Sequence, residues 1–331
     1  LLVVGGCLRF IHLGYAEFLT DEARTILRAA AVIQGHEDVL FLHRKGPLEI
    51  LTPAVLFSLT GRMDEASARL PFAIANLAGL FAVFLLGWQL MGPLAGWVAA
   101  FLLAFDGYLI GFARFVQYQS VVFLTSILAV MILVRLVCHP KALTRYLILL
   151  ALLLSTGLLA HYDAALAGVP VALLCGALGW QQRANWRPLA RAICLATLVG
   201  GLLLASFYIP FVLAAHFQAT YTYLVEQRIS GPDLHFPYNN LGDFFRRSVV
   251  YNSPYSVILL VGLVTAALVL AYGRGWNRRV GIVAGIMLPL LLLLTSWRTD
   301  WLRIGATDFM IVPFALMLLL VWLAPRLKLE E

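Results

Sequence analysis

Residues 15–71 read YAEFLTDEARTILRAAAVIQGHEDVLFLHRKGPLEILTPAVLFSLTGRMDEASARLP, a polar stretch set between two apolar runs, and that contrast decides the fold. Around it the chain of 331 residues is 62% hydrophobic and 12% charged, with mean hydropathy +0.88. Soluble domains carry about 25% charged residues, so that class is excluded. Apolar runs of spanning or near-spanning length fall at about 1–15, 71–90, 94–110, 116–137, 146–160, 164–180, 192–213, 256–272, 280–296 and 309–325, ten candidate helices in all. The expected fold class is all-α, a polytopic transmembrane helical bundle over 1–331. It carries a structured first outer loop at 15–70 and a second large outer loop at 214–255. The first run is short and starts without Met, and the last ends at Pro325 close to the terminus, so a piece cut at both ends is expected.

Loop charges orient the bundle. With the N-terminus inside, residues 138–145, 181–191, 273–279 and 326–328 are cytoplasmic and carry Lys141, Arg145, Arg183, Arg187, Arg191, Arg274, Arg278, Arg279, Arg326 and Lys328 without one acid. Apart from Glu330 and Glu331, the carboxylates fall on or near the opposite face. The net charge of +7 therefore reflects topology, and no nucleic-acid partner is implied. A multi-pass protein of the cell (inner) membrane, with its polar work on the extracytoplasmic side, is expected. Cys7, Cys138, Cys175 and Cys194 show no CxxC spacing and read as buried small residues rather than a zinc site.

Within the first loop, Ile26, Leu27, Ala30 and Ile33 share a helical face over 21–34, with Thr20 or Asp21 as N-cap, which predicts an amphipathic helix lying in the membrane interface. A second helix is expected from Pro47 to Leu59, ended by Gly61, with Asp64 capping the next span. Arg69 is expected to pair with Asp64 or Glu65. His36-Glu37-Asp38 resembles a metal cluster only superficially, because adjacent side chains diverge. Tyr221, Tyr223, Glu226, Arg228, His235 and Tyr238 give the second outer loop a mixture suited to a glycan or to an aromatic interface belt.

Asp21-Glu22-Ala23-Arg24, Lys45-Gly46-Pro47-Leu48, Arg69-Leu70-Pro71 and Arg114 at the start of the fourth span, taken together, resemble the membrane domain of GT-C glycosyltransferases. Within that class the motifs resemble those of the protein O-mannosyltransferase and lipid A aminoarabinose transferase group. The similarity is best over 9–135 and architectural beyond. It implies transfer of a sugar from a polyprenyl-phosphate donor to a glycan, lipid or protein acceptor outside the cytoplasm, among membrane lipids. It also implies Asp21 in the active site and Lys45 near the donor phosphate. Two departures stand out. One Pro of a KPPL-like motif is Gly46, and the Asp that many relatives carry five residues after the matching Arg is Gln119. Gln can hydrogen-bond a sugar hydroxyl but is neither a carboxylate base nor a good metal ligand, which argues against a two-carboxylate or metal-bound mechanism.

Such a transfer needs a base, a cationic pocket for the leaving phosphate and a site open to lipid and water. Asp21 is the candidate base, giving inversion by single displacement, with Glu22 supporting it. Lys45 is the candidate phosphate contact, helped by Arg24 and Arg114, with Arg303 as a second contact from the last outer segment. His161 and Asp163, in the polar trio His161-Tyr162-Asp163 between two spans, together with Tyr118 and Gln119, are candidates for the acceptor or sugar. No cofactor is implied, and a divalent metal is left open. Each residue also has a plain reading: Asp21 as a helix cap, Lys45 among lipid headgroups, His161-Tyr162-Asp163 as a short polar turn. Two further functions stay open, a transporter or flippase of a lipid-linked substrate and a non-catalytic scaffold of this fold. The first would want charges midway across the spans, whereas here they cluster at the ends.

Overall fold

The computed structural model of this chain describes residues 1–138, 142–168 and 186–223, with isolated positions between 171 and 178. The chain forms two compact units. The first comprises Leu1–Ile132, Thr144–Ala165 and Arg191–Phe217 and holds the first loop with the helices packed on it. The second, Leu133–Leu143, Leu166–Ala190 and Gln218–Glu331, lies mostly outside the described residues, as do Arg303, most of 214–255 and the expected spans at 256–272, 280–296 and 309–325.

Among the described residues all regular structure is helical. The helices are α1 (Leu2–Phe10), α2 (Thr20–Ile33), α3 (Leu48–Thr60), α4 (Glu65–Met91), α5 (Pro93–Ala104), α6 (Gly107–Ala113), α7 (Gln119–Cys138), α8 (Leu143–Ala160), α9 (Arg187–Leu213) and α10 (Phe217–Thr222), with 3-10 turns at Glu37–Leu42 and Tyr162–Ala167. Among the described residues four stretches, Glu65–Met91, Gln119–Leu136, Leu143–Ala160 and Arg187–Leu213, are long and apolar enough to cross a membrane. The run expected at 94–110 is instead two helices, α5 and α6, bent by 67°. The break is local: Asp106 turns its carboxylate onto the Leu109 N–H at 2.8 Å and caps a new helix instead of continuing the old one.

α4 begins before its apolar run because Asp64 accepts from the Ser67 N–H at 2.7 Å, the cap expected from sequence. That bond, first among its causes, holds the Asp64 carboxyl below the usual carboxylate range. α4 and α5 approach closely where Gly87 faces Gly96; a Cβ on Gly87 would come within 2.7 Å of the Gly96 Cα. A buried polar seam also ties the spans together. Arg9, fully buried, donates to Asn76 Oδ1 (2.8 Å) and to the carbonyls of Gly5, Leu103 and Ala104. The last two lie at the C-terminus of α5, where the helix dipole favours a cation. Asn76 passes the chain on to Ser120 at 3.3 Å.

The first loop is a packed ledge. Ile26 and Ala29 of α2, Ile50, Ala54 and Phe57 of α3, Ala68 and Phe72 of α4 and Val116 form one buried cluster. Leu27 and Ile33 do not join that cluster; they are exposed, so the buried face of α2 is turned from the one expected. Glu22 sets this turn, because its carboxylate is drawn inward and Ile26 and Ala29 follow on the same side of the helix. On the other side of the ledge Leu40 and Phe41 pack against Leu159, Phe207 and Phe211 of α8 and α9. The ledge is therefore fixed to the spans at both sides. Gly61 ends α3 at φ 66, as its sequence position predicts.

Candidate active site

The first turn of α2 places two neighbouring carboxylates in opposite environments. Glu22 is fully buried, and each of its oxygens accepts two hydrogen bonds: Oε1 from Arg69 Nε (2.9 Å) and the Val116 N–H (2.8 Å), Oε2 from Arg69 Nη2 (2.8 Å) and the Leu19 N–H (3.3 Å). This is a bidentate buried pair with its remaining lone pairs satisfied, the condition under which burying charge is tolerated. Arg69 is equally saturated, donating also to the carbonyls of Leu13, Ala16 and Glu17, with its guanidinium near the rings of Phe18 and Phe115. The expected partners of Arg69 are thus corrected. Asp64 instead pairs with Arg62 at 2.8 Å, since its own helix start holds it at the surface. The N-cap of α2 is corrected too: it is Leu19, whose N–H is taken by Glu22 reaching back.

Asp21 faces outward, with a side chain 61% exposed and, among the described residues, a single loose ion-pair contact, to Arg24 at 3.9 Å. Its carboxylate therefore has room for a hydroxyl proton, whereas Glu22 has none.

The second cluster forms where the loop meets the ends of α7 and α8. Gly46 lies against the last turn of α8, so close that a Cβ there would run into the carbonyl of Leu159. This explains the Gly in Lys45-Gly46-Pro47-Leu48: no residue bearing a Cβ fits without moving backbone. The contact brings Lys45 Nζ to 5.2 Å from the Tyr118 ring centroid, within cation–π range. Tyr118 stacks on His161 with centroids 3.6 Å apart and planes 5° apart, and His161 meets Asp163 at 3.2 Å. Burial pushes the His161 pKa down, opposed by the Asp163 hydrogen bond and charge. Burial likewise drives the Tyr118 phenol far above its ordinary range, so it stays protonated.

The cluster continues behind Lys45. Glu49, buried in the first turn of α3, lies 3.6 Å from Lys45 Nζ and 2.9 Å from His43 Nε2, and His43 Nδ1 is 2.7 Å from Arg28 Nη1 of α2. Burial lowers the Arg28 pKa, with lesser help from Arg24. Sequence reasoning missed Arg28, His43 and Glu49. The readable signal was the spacing of Lys45 and Glu49 across a helix start marked by Pro47, a separation that brings side chains together.

Lys45, Tyr118, His161 and Asp163 are thus brought together, while Asp21 and Glu22 lie in the first turn of α2 and Arg24 directly after it. Arg114 faces elsewhere: it donates to the carbonyls of Leu8, Ile11 and His12 at 3.3, 2.7 and 2.8 Å, satisfying the end of α1. His12 makes this possible with a left-handed φ of 52 that gathers the carbonyls. Gln119 begins α7 with its Oε1 buried and without a hydrogen-bond partner among the described residues. Among those residues no group of three or more His, Cys, Asp or Glu is gathered as a metal site would require.

A bundle of spans with a helical ledge packed against it is the architecture of a multi-pass membrane protein with a GT-C-type fold. The fold is shared with ArnT from Cupriavidus metallidurans, solved in the apo state, at 17% sequence identity and TM-score 0.58 over 96% of this chain. This chain spans 57% of that one. It belongs to the family described as dolichyl-phosphate-mannose-protein mannosyltransferase, whose model matches residues 44–216. No curated protein matches the sequence.

Proposed function

We propose that this protein transfers a glycosyl group from a polyprenyl-phosphate-linked sugar to a glycan, lipid or protein acceptor on the extracytoplasmic face of the cell (inner) membrane. The observation that carries the reading is the contrast within Asp21-Glu22: one carboxylate saturated by four donors, its neighbour left open. The family's description, which names dolichyl-phosphate mannose and protein, supports a lipid-phosphate donor.

Asp21 takes the proton of the acceptor hydroxyl as its oxygen attacks the anomeric carbon. The bond from that carbon to the phosphate oxygen breaks, and configuration inverts. Polyprenyl phosphate leaves with the electron pair, its charge met by Lys45 with Arg24 as helper. Glu22 acts by holding α2 in place and takes no part in the proton transfer. Arg303 of the last outer segment is the proposed second phosphate contact, whereas Arg114, engaged with the end of α1, holds the start of the loop after that helix and is not assigned to the phosphate. The Tyr118 ring, backed by the buried His161, offers an aromatic surface for a sugar, Asp163 an acceptor for its hydroxyls, and Gln119 an unsatisfied oxygen.

The test is Asp21→Asn in a transfer assay with purified protein. The variant should still bind donor while transfer falls by about 10² or more, the size of a lost general base. Transfer at the wild-type rate would refute the assignment.

A further inference from the structure

Resting on the proposal that Lys45 meets the donor phosphate, we infer that Glu49, itself held by His43 and Arg28, is a positioning residue that fixes the Lys45 ammonium where that phosphate must sit. Hydrogen-bond chemistry orders the chain. An arginine can only donate, so the 2.7 Å contact from Arg28 makes His43 Nδ1 the acceptor. The ring proton is then on Nε2, which donates to Glu49 Oε2 at 2.9 Å. Glu49 is 1% exposed, and its other oxygen faces Lys45 at 3.6 Å.

That distance matters. It is an ion-pair distance but too long for a good hydrogen bond, so Glu49 attracts the ammonium without consuming its N–H donors. Among the described residues Lys45 donates no hydrogen bond, and its side chain remains 27% exposed. A flexible side chain is thereby held in one place by a buried counter-charge from behind and the Tyr118 ring beside it, with its donors left for an anion. A buried carboxylate without a cation would be costly, so the pairing is mutual. The chain has a second consequence. Arg28 belongs to α2, which bears Asp21 in its first turn, so it couples the phosphate-binding turn to the helix that carries the proposed base.

The experiment measures binding of undecaprenyl phosphate in detergent micelles to the full chain in wild type, Lys45→Ala, Glu49→Gln and the double variant. Lys45→Ala and Glu49→Gln should each weaken binding by about tenfold, and the double variant should be no weaker than Lys45→Ala, since Glu49 acts through Lys45. His43→Gln, which leaves both charges in place, should cost about threefold in wild type and nothing in the Lys45→Ala background. Wild-type affinity in Glu49→Gln or His43→Gln would overturn the inference, as would losses that multiply in the double variant, the mark of general structural damage. Wild-type affinity in Lys45→Ala would instead remove the phosphate reading of Lys45, and this inference with it.

Discussion

Arg69 and Glu22, 47 positions apart in sequence, form a two-pronged buried ion pair at 2.9 and 2.8 Å, and this pair decides which carboxylate of Asp21-Glu22 is available. Through the Val116 N–H the same carboxylate joins α2, α4 and the segment before α7.

Removing one partner should therefore damage the ledge more than the site chemistry. Arg69→Ala leaves Glu22 buried and unpaired, a loss of about 3–5 kcal/mol. A drop in thermal midpoint is expected at neutral pH, with Glu22→Gln less affected because it keeps an oxygen for the Val116 N–H. An unchanged midpoint in Arg69→Ala would show that the pair does not hold the ledge.

Gly46 tests the packing that delivers Lys45. Gly46→Ala places a methyl group against the α8 backbone, which cannot yield as a flexible side chain would. Gly46→Ala should reduce donor affinity by about tenfold or destabilise the fold by about 1–3 kcal/mol, as overpacking does. Donor affinity and thermal midpoint both at wild-type values would contradict the close contact.

His161 sets a pH window. Burial holds its folded pKa below the ordinary 6.5, so the unfolded chain binds the proton more readily. The sign follows: this contribution to stability is complete above the unfolded value and is lost as pH falls from there toward the folded one. Asp163→Asn removes the two opposing effects, lowers the folded pKa further and extends the loss to lower pH. Thermal midpoints measured from about pH 5 to about pH 8 should fall on the acid side, more steeply for Asp163→Asn. A flat profile would mean that His161 is not buried as neutral imidazole.

Orientation is tested by labelling. In a background without the native cysteines, His36→Cys should react with an impermeant thiol reagent applied to intact cells, and Asn185→Cys should not, because short basic loops stay cytoplasmic. The reverse pattern would move the proposed reaction to the other face.

Much of this was legible because the signals are local. Asp64 caps α4 and Gly61 ends α3 because caps depend on one residue and its near neighbours. Long apolar runs became α4, α7, α8 and α9, since backbone in lipid must satisfy its own hydrogen bonds. The bend at Asp106 was not read, because its cap competes with helix continuation over a few residues that look uniformly apolar.

By itself, the sequence determined that this is an all-helical, multi-pass chain with its acidic groups segregated from its short basic loops, because hydropathy and charge act on each segment independently. Which acid meets which base was decided only in three dimensions. Arg69 had nearer candidates in Asp64 and Glu65, yet pairs with Glu22, and Glu49 became the centre of a chain from Arg28 to Lys45. The physical reason is burial: an ion pair is strong only where water is excluded, and exclusion at Glu22 and Glu49 comes from helices distant in sequence closing over them.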